Sequence, residues 1–244
     1  MAFIELFIYF MIYSFVGYIV EVIFMSILNK KIINGGFLCG PICPIYGMGA
    51  IGMIVLLKRY VHDYAALFIF GALIASVLEY IVSYVLEKVF HNKWWDYSQN
   101  KFNINGRVCL LNAFLFGLCS VGLVEIIHPF VSKFVLRIPK VWLIVIFIIL
   151  LILLLADTIF SCIIAYNLRH RLIIVEELKN EKLSMLPNLF EDKLKQKVDK
   201  LKIYPNRLLK AFPDVLANYK DEFDIMKNWK KSKSSEKDKK NKKK

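Results

Sequence analysis

Three acids stand inside stretches that are otherwise apolar: Glu21, Glu79 and Asp157. A carboxylate at the centre of a membrane helix costs about 2.5–3.5 kcal/mol on insertion scales, so it faces protein or water rather than lipid. The spacing agrees with that. Gly71, Ala75, Glu79, Ser83 and Glu87 recur every four residues and form one helical stripe. Ser14, Gly17 and Glu21 form another, and Asp157, Ser161 and Ala165 a third. Small residues beside an acid let helices approach closely around a polar centre. Such a centre is either a hydrogen-bond lock between helices or a site for a substrate, an ion or a proton. Arg107 is the cation expected to join Glu21, Glu79 or both.

The elements that must hold these residues are membrane spans. The chain has 244 residues, a hydrophobic fraction of 57% and a mean hydropathy of +0.51. A soluble domain is about 45–50% apolar, so a soluble globule is excluded, and so is a disordered chain. A span needs about 20 mostly apolar residues. Five stretches qualify, at about 3–28, 38–57, 64–87, 108–127 and 141–166. The expected fold is an all-α, polytopic transmembrane bundle over residues 1–166. A basic helical region over 167–229 and a disordered lysine-rich tail over 230–244 complete it.

Charge is sorted along the chain. Residues 1–166 hold 11 Lys and Arg against 8 Asp and Glu, whereas residues 167–244 hold 22 against 12. The positive-inside rule then keeps the tail in the cytoplasm, in a multi-pass protein of the cell membrane. With five spans the N-terminus lies outside. The three acids fall in the cytoplasmic half of the bilayer, because each lies past the middle of a span running inward.

The 34–52 stretch is not ordinary helix. Pro41 and Pro44 remove backbone donors, and Gly40 and Gly47 permit close approach. Broken backbone at membrane depth persists only when it is buried in protein or lines a cavity. Gly40, Pro41, Pro44, Tyr46 and Gly47 are therefore expected to line a cavity. The 88–107 loop adds Trp94, Trp95 and Tyr97 as interface anchors, with Asp96, Asn103 and Asn105 as further polar groups beside Arg107. A weak repeat relates Glu21–Lys30 to Glu79–Lys88, each followed by an Asn-Gly pair and another span. That pattern fits parallel repeats of a transporter type.

Other chemistry finds little support. The five cysteines, Cys39, Cys43, Cys109, Cys119 and Cys162, lie in or beside apolar spans and make no disulfide framework. Neither a metal set nor a cofactor is expected. No phosphate-loop, H-E-x-x-H or G-x-S-x-G pattern occurs. The last fifteen residues hold nine lysines. They are expected to touch anionic lipid, each lysine adding about 1 kcal/mol near the surface, and not nucleic acid.

Taken together, several pieces resemble the CmpB-like family described as putative ABC-transporter type IV. They are Gly17-x3-Glu21, then Asn34 to Gly47 (NGGFLCGPICPIYG), Glu79-Tyr80, Trp95-Asp96-Tyr97-Ser98, and Phe102 to Cys109 (FNINGRVC). The resemblance covers roughly residues 10–125. It implies a bacterial membrane protein with a transport role, and because the chain has no nucleotide-binding motif, the expectation is a permease-like component, not catalytic by itself, whose ATPase would be a separate chain. A homo-oligomer is a further expectation. Two other readings stay open: an intramembrane enzyme acting on a lipid or lipid-linked head group, and a membrane scaffold or regulator whose tail binds a partner.

Overall fold

The computed structural model describes residues 2–30, 36–90 and 93–180. The chain is mostly helical. α1 covers Ala2–Asn29, α2 Pro44–Leu56, α3 Tyr64–Phe90, α4 Leu110–Gly122, α5 His128–Val135 and α6 Lys140–Asn180. Two two-residue strands, β1 (Asn103–Ile104) and β2 (Val108–Cys109), pair antiparallel in the loop before α4.

Four helices are long and apolar enough to cross a membrane: Ala2–Ile27, Tyr64–Phe90, Leu110–Val135 and Lys140–Tyr166. Their outer faces carry large exposed apolar side chains such as Ile23, Leu73, Leu111 and Ile152. Bilayer contact follows from that composition.

Two of the expected spans take a different form. Helix in the second begins only at Pro44, which occupies the first helical turn. There its missing N–H costs nothing. The 13 residues of α2 extend about 20 Å, short of the roughly 30 Å hydrocarbon core. The rest of that stretch, residues 36–43, is non-helical backbone. The fourth span is longer than expected and runs on to Val135. A π turn, Leu123–Ile127, joins α4 to α5, and the His128 amide bonds back to the Leu123 carbonyl. Pro129 has no N–H to offer residue 125. The wider turn absorbs that gap without ending the helix.

α2 runs back along α1, and α4 back along α3. In the first hairpin Gly47 lies against Ser14, and Gly17 against Tyr46. In the second, Gly71 lies against Ser120. A Cβ at any of these glycines would collide with the facing helix. The small residues thus set the interaxial distance in both hairpins.

The interior is sorted along its length. Ile8, Tyr9, Tyr13, Ala50, Val135 and Leu143 make one apolar cluster. Met53, Leu57, Leu67, Ala75 and Val124 make another at the same end, where α1 and α3 begin. The polar residues gather toward the other end. α6 continues without a break past Tyr166 to Asn180. The rest of the basic tail, the Asn34-Gly35 pair and the terminal lysines lie outside the described residues.

Candidate functional site

The centre of the bundle's polar half is built twice, once in each hairpin. In the first, Glu21 of α1 meets Tyr46 of α2, whose hydroxyl donates to Glu21 Oε2 at 2.7 Å. In the second, Glu79 of α3 meets Tyr97 of the 93–107 loop, whose hydroxyl donates to Glu79 Oε1 at 3.1 Å. The two pairs come together. Glu21 lies within electrostatic reach of Glu79 and Tyr97, and Tyr46 within reach of Tyr97. Asn112 of α4 approaches Glu79 and Tyr97 as well.

Glu79 is only 7% exposed, and its hydrogen-bonding neighbours are the Tyr97 hydroxyl and the Asn112 carboxamide. Tyr97 remains a phenol. Burial first, then the neighbouring Glu79 charge, pushes its hydroxyl well above the usual tyrosine range. It therefore serves as a donor at any ordinary pH.

Asp157 does something different. Its Oδ1 accepts from the Cys39 amide at 3.0 Å, and its Oδ2 from the Gly40 amide at 3.0 Å. Ser161, one turn further along α6, accepts a second hydrogen bond from the Cys39 amide at 2.9 Å. The Cys43 amide reaches the Ser14 carbonyl at 3.0 Å. These bonds answer the question that broken backbone poses at membrane depth, namely where its polar groups go. Gly40 is needed for the same reason, since a Cβ there would stand 2.8 Å from Asp157 Oδ2. Pro41, next in the chain, is exposed.

Arg107 is placed differently from the expectation. Its guanidinium pairs with Glu87 at 2.5 Å, and among the described residues it makes no ion pair with Glu21 or Glu79. Glu87 is the last member of the α3 stripe, two turns beyond Glu79 and nearer the loop from which Arg107 comes. The guanidinium also lies over the rings of Tyr80 and Tyr84, 5.3 and 5.4 Å from their centroids. The Glu87 hydrogen bond raises the Arg107 pKa further above its ordinary value, so the guanidinium stays charged.

The remaining loop residues hold the loop itself. Asp96 is exposed and accepts from the Ser98 amide and hydroxyl. The Ser98 hydroxyl is the main reason its carboxyl is held below the usual range. Asn103 bonds the carbonyls of Ser98 and Asn100 and accepts from the Gly106 amide. Asn105 donates to the Tyr80 hydroxyl at 3.0 Å. Trp95 donates to the Arg107 carbonyl at 3.1 Å, and Trp94 is buried edge-on to Phe37 and Phe90. Trp94 and Tyr97 thus dock the loop on the bundle, while Trp95 ties the loop to itself.

Of the candidate residues, then, Glu21, Glu79, Tyr46 and Tyr97 converge. Asp157, Gly40 and Gly47 secure the broken segment and its helix. Asp96, Asn103, Asn105 and Arg107 form a separate network. Asn112 was not singled out from the sequence, although a lone amide inside an apolar span is itself a signal. Tyr80 carries none.

No curated protein and no solved structure matches the chain. The family described as Putative ABC-transporter type IV matches residues 8–162, which span both hairpins, the broken segment, the loop network and Asp157. That match takes in well over half of the 244 residues, and the chain is a membrane protein belonging to this transport-related family.

Proposed function

We propose that the chain is the permease-like, membrane-embedded component of a transport system. In this reading it crosses the cell membrane five times, residues 36–56 forming the short second crossing. Its C-terminal tail lies in the cytoplasm, and its polar centre lies in the cytoplasmic half of the bilayer. The ATPase that drives it is a separate chain. One observation carries the reading: the family described as Putative ABC-transporter type IV matches residues 8–162, which bring two acids from different hairpins into one polar centre. A helix lock alone does not require acids there, since neutral amides bridge helices at lower cost.

Two experiments test it. Full-length chain captured from its native membrane should bring down a nucleotide-binding subunit in fixed ratio. Capture without one would remove the separate-ATPase part. Cysteines replacing Lys58 and Lys230 should label from opposite sides of the membrane, and same-side labelling would overturn the topology.

A further inference from the structure

We infer that the loop end of α3 carries a docking site for one anionic phospholipid, with the head-group phosphate at Lys88 beside Arg107 and an acyl chain along the exposed face of the helix. Which leaflet supplies the lipid depends on the topology proposed above. The site itself does not.

The site begins as a stripe. Val77, Ile81, Tyr84, Val85 and Lys88 follow one another at steps of three and four residues, and all are exposed. They lie on the face of α3 opposite the buried one that carries Ala75, Glu79 and Ser83. From Val77 to Lys88 the helix rises about 17 Å, close to one leaflet's half of a roughly 30 Å hydrocarbon core. The stripe thus has the length of an acyl chain and continues the lipid-facing surface of the bundle.

Its end is charged. Lys88 Nζ lies 5.6 Å from the centre of the Tyr84 ring, and the Arg107 guanidinium carbon lies 5.4 Å from the same centre. Two cations therefore share one exposed aromatic ring at the end of a membrane span. The adjacent acid, Glu87, is taken by Arg107, and Lys88 makes no ion pair among the described residues. Two cations against one carboxylate leave the group net positive. Arg107 is fixed by Glu87 and by the Tyr80 hydroxyl, which Asn105 also holds. Lys88, a compact charge on a flexible stem, is the group free to reach a phosphate. A zwitterionic head group would bring its own cation into this field, whereas a singly anionic one would not. The charge selects the head group, and the stripe beneath it selects a lipid over a free anion.

The test uses full-length protein in phosphatidylcholine nanodiscs. These are doped with a diazirine-acyl phosphatidylglycerol or with the phosphatidylcholine bearing the same chain, and photoadducts are mapped by mass spectrometry. Adducts on residues 77–88 should be about fivefold richer with the anionic probe, the worth of one lysine near the surface. Lys88→Gln should remove that preference. Lys133→Gln, exposed on α5 at the other end of the bundle, should keep it. The tail lysines are common to all three proteins. Unlabelled phosphatidylglycerol should compete, and inorganic phosphate should not.

Equal labelling of residues 77–88 by the two probes would overturn the site, as would a preference unchanged in Lys88→Gln. An equal preference on the α6 face around Ile152 would overturn it as well, because it would show only general surface attraction. Competition by inorganic phosphate would replace the lipid with a free anion. Should Lys88→Gln fail to fold, the comparison of the two probes and the two faces in wild-type protein still decides. Same-side labelling of the Lys58 and Lys230 replacements would end the proposed topology and leave this site standing.

Discussion

The two hairpins reach the same result by different means. Each places a glutamate on its first helix and brings a tyrosine to it, Tyr46 to Glu21 and Tyr97 to Glu79. The first hairpin turns back through residues 30–43, and the Cys39 and Gly40 amides there are satisfied from outside the hairpin, by Asp157 and Ser161 of α6. The second turns back through a longer loop that satisfies itself. Asn103, Asp96 and Gly106 close it, and Arg107 ties it to Glu87 of its own helix. At membrane depth two amides of the first connection borrow a carboxylate from another helix. The second connection, at the periphery, carries its own partners. The first half should therefore depend on α6, and the second should not.

The largest effect should come from removing the borrowed acceptor. Asp157→Ala strands the Gly40 amide and leaves the Cys39 amide only Ser161, and a stranded group costs about 1–3 kcal/mol. Folded yield and thermal midpoint should fall sharply, and Asp157→Asn, which keeps one acceptor, should fall less. Maleimide labelling of a Pro41→Cys reporter should accelerate in Asp157→Ala, while a Gln99→Cys reporter in the other loop should not change. Equal acceleration at both would erase the distinction between the halves.

Next come the ion pair of the second half and the contact between its helices. The Arg107 and Glu87 side chains are 14% and 31% exposed. Their pair falls between the exposed and fully buried cases, so Arg107→Ala should cost about 1–3 kcal/mol of stability. Adding Glu87→Gln should recover part of that loss, and adding Glu79→Gln should not. Recovery with Glu79→Gln instead would return Arg107 to the polar centre. Gly71→Ala drives a methyl into Ser120 and should cost about 1–3 kcal/mol as overpacking, with Ser120→Gly restoring most of it. Both pairs can be read from midpoints in double-mutant cycles.

How far the sequence reveals this depends on whether a residue's partner is near it in the chain or on the same stripe. The apolar runs gave four long helices directly, because bilayer thickness dictates their length. The four-residue stripe through Gly71 and Glu79 placed that face inward, since a charged residue has no tolerable position against lipid. Pro41 and Pro44 marked the break, because proline removes donors wherever it sits. What could not be read was the choice of partner. Arg107 has Glu87 and Glu79 two turns apart on one stripe, and only the landing point of the loop decides between them. The match of Asp157 to Cys39 and Gly40 spans more than a hundred residues and follows no spacing rule. The continuation of the fourth span past Pro129 was hidden for another reason, since a π turn leaves no compositional mark.

The smallest effect belongs to Asp96, and it measures how self-contained the second loop is. The Ser98 hydroxyl and amide hold this carboxylate below the usual range, with Lys93 adding a weak pair at 3.7 Å. A lowered folded value means that the carboxylate's contribution is complete above the ordinary aspartate pKa. It is lost as pH falls through the depressed value. Because Asp96 is exposed, solvent screens most of that contribution, and Asp96→Asn should change stability by no more than about 0.5 kcal/mol at neutral pH. Asn103 and the Arg107–Glu87 pair still hold the loop in that variant. Amide exchange should rise only around residues 96–98, and acidifying the wild-type protein through the depressed value should bring the same local change. Spread of faster exchange to the Gly106 amide, which Asn103 holds at 3.0 Å, would show that the loop closes through Asp96 rather than through several independent bonds. The second hairpin would then hang on one acid, as the first does on Asp157.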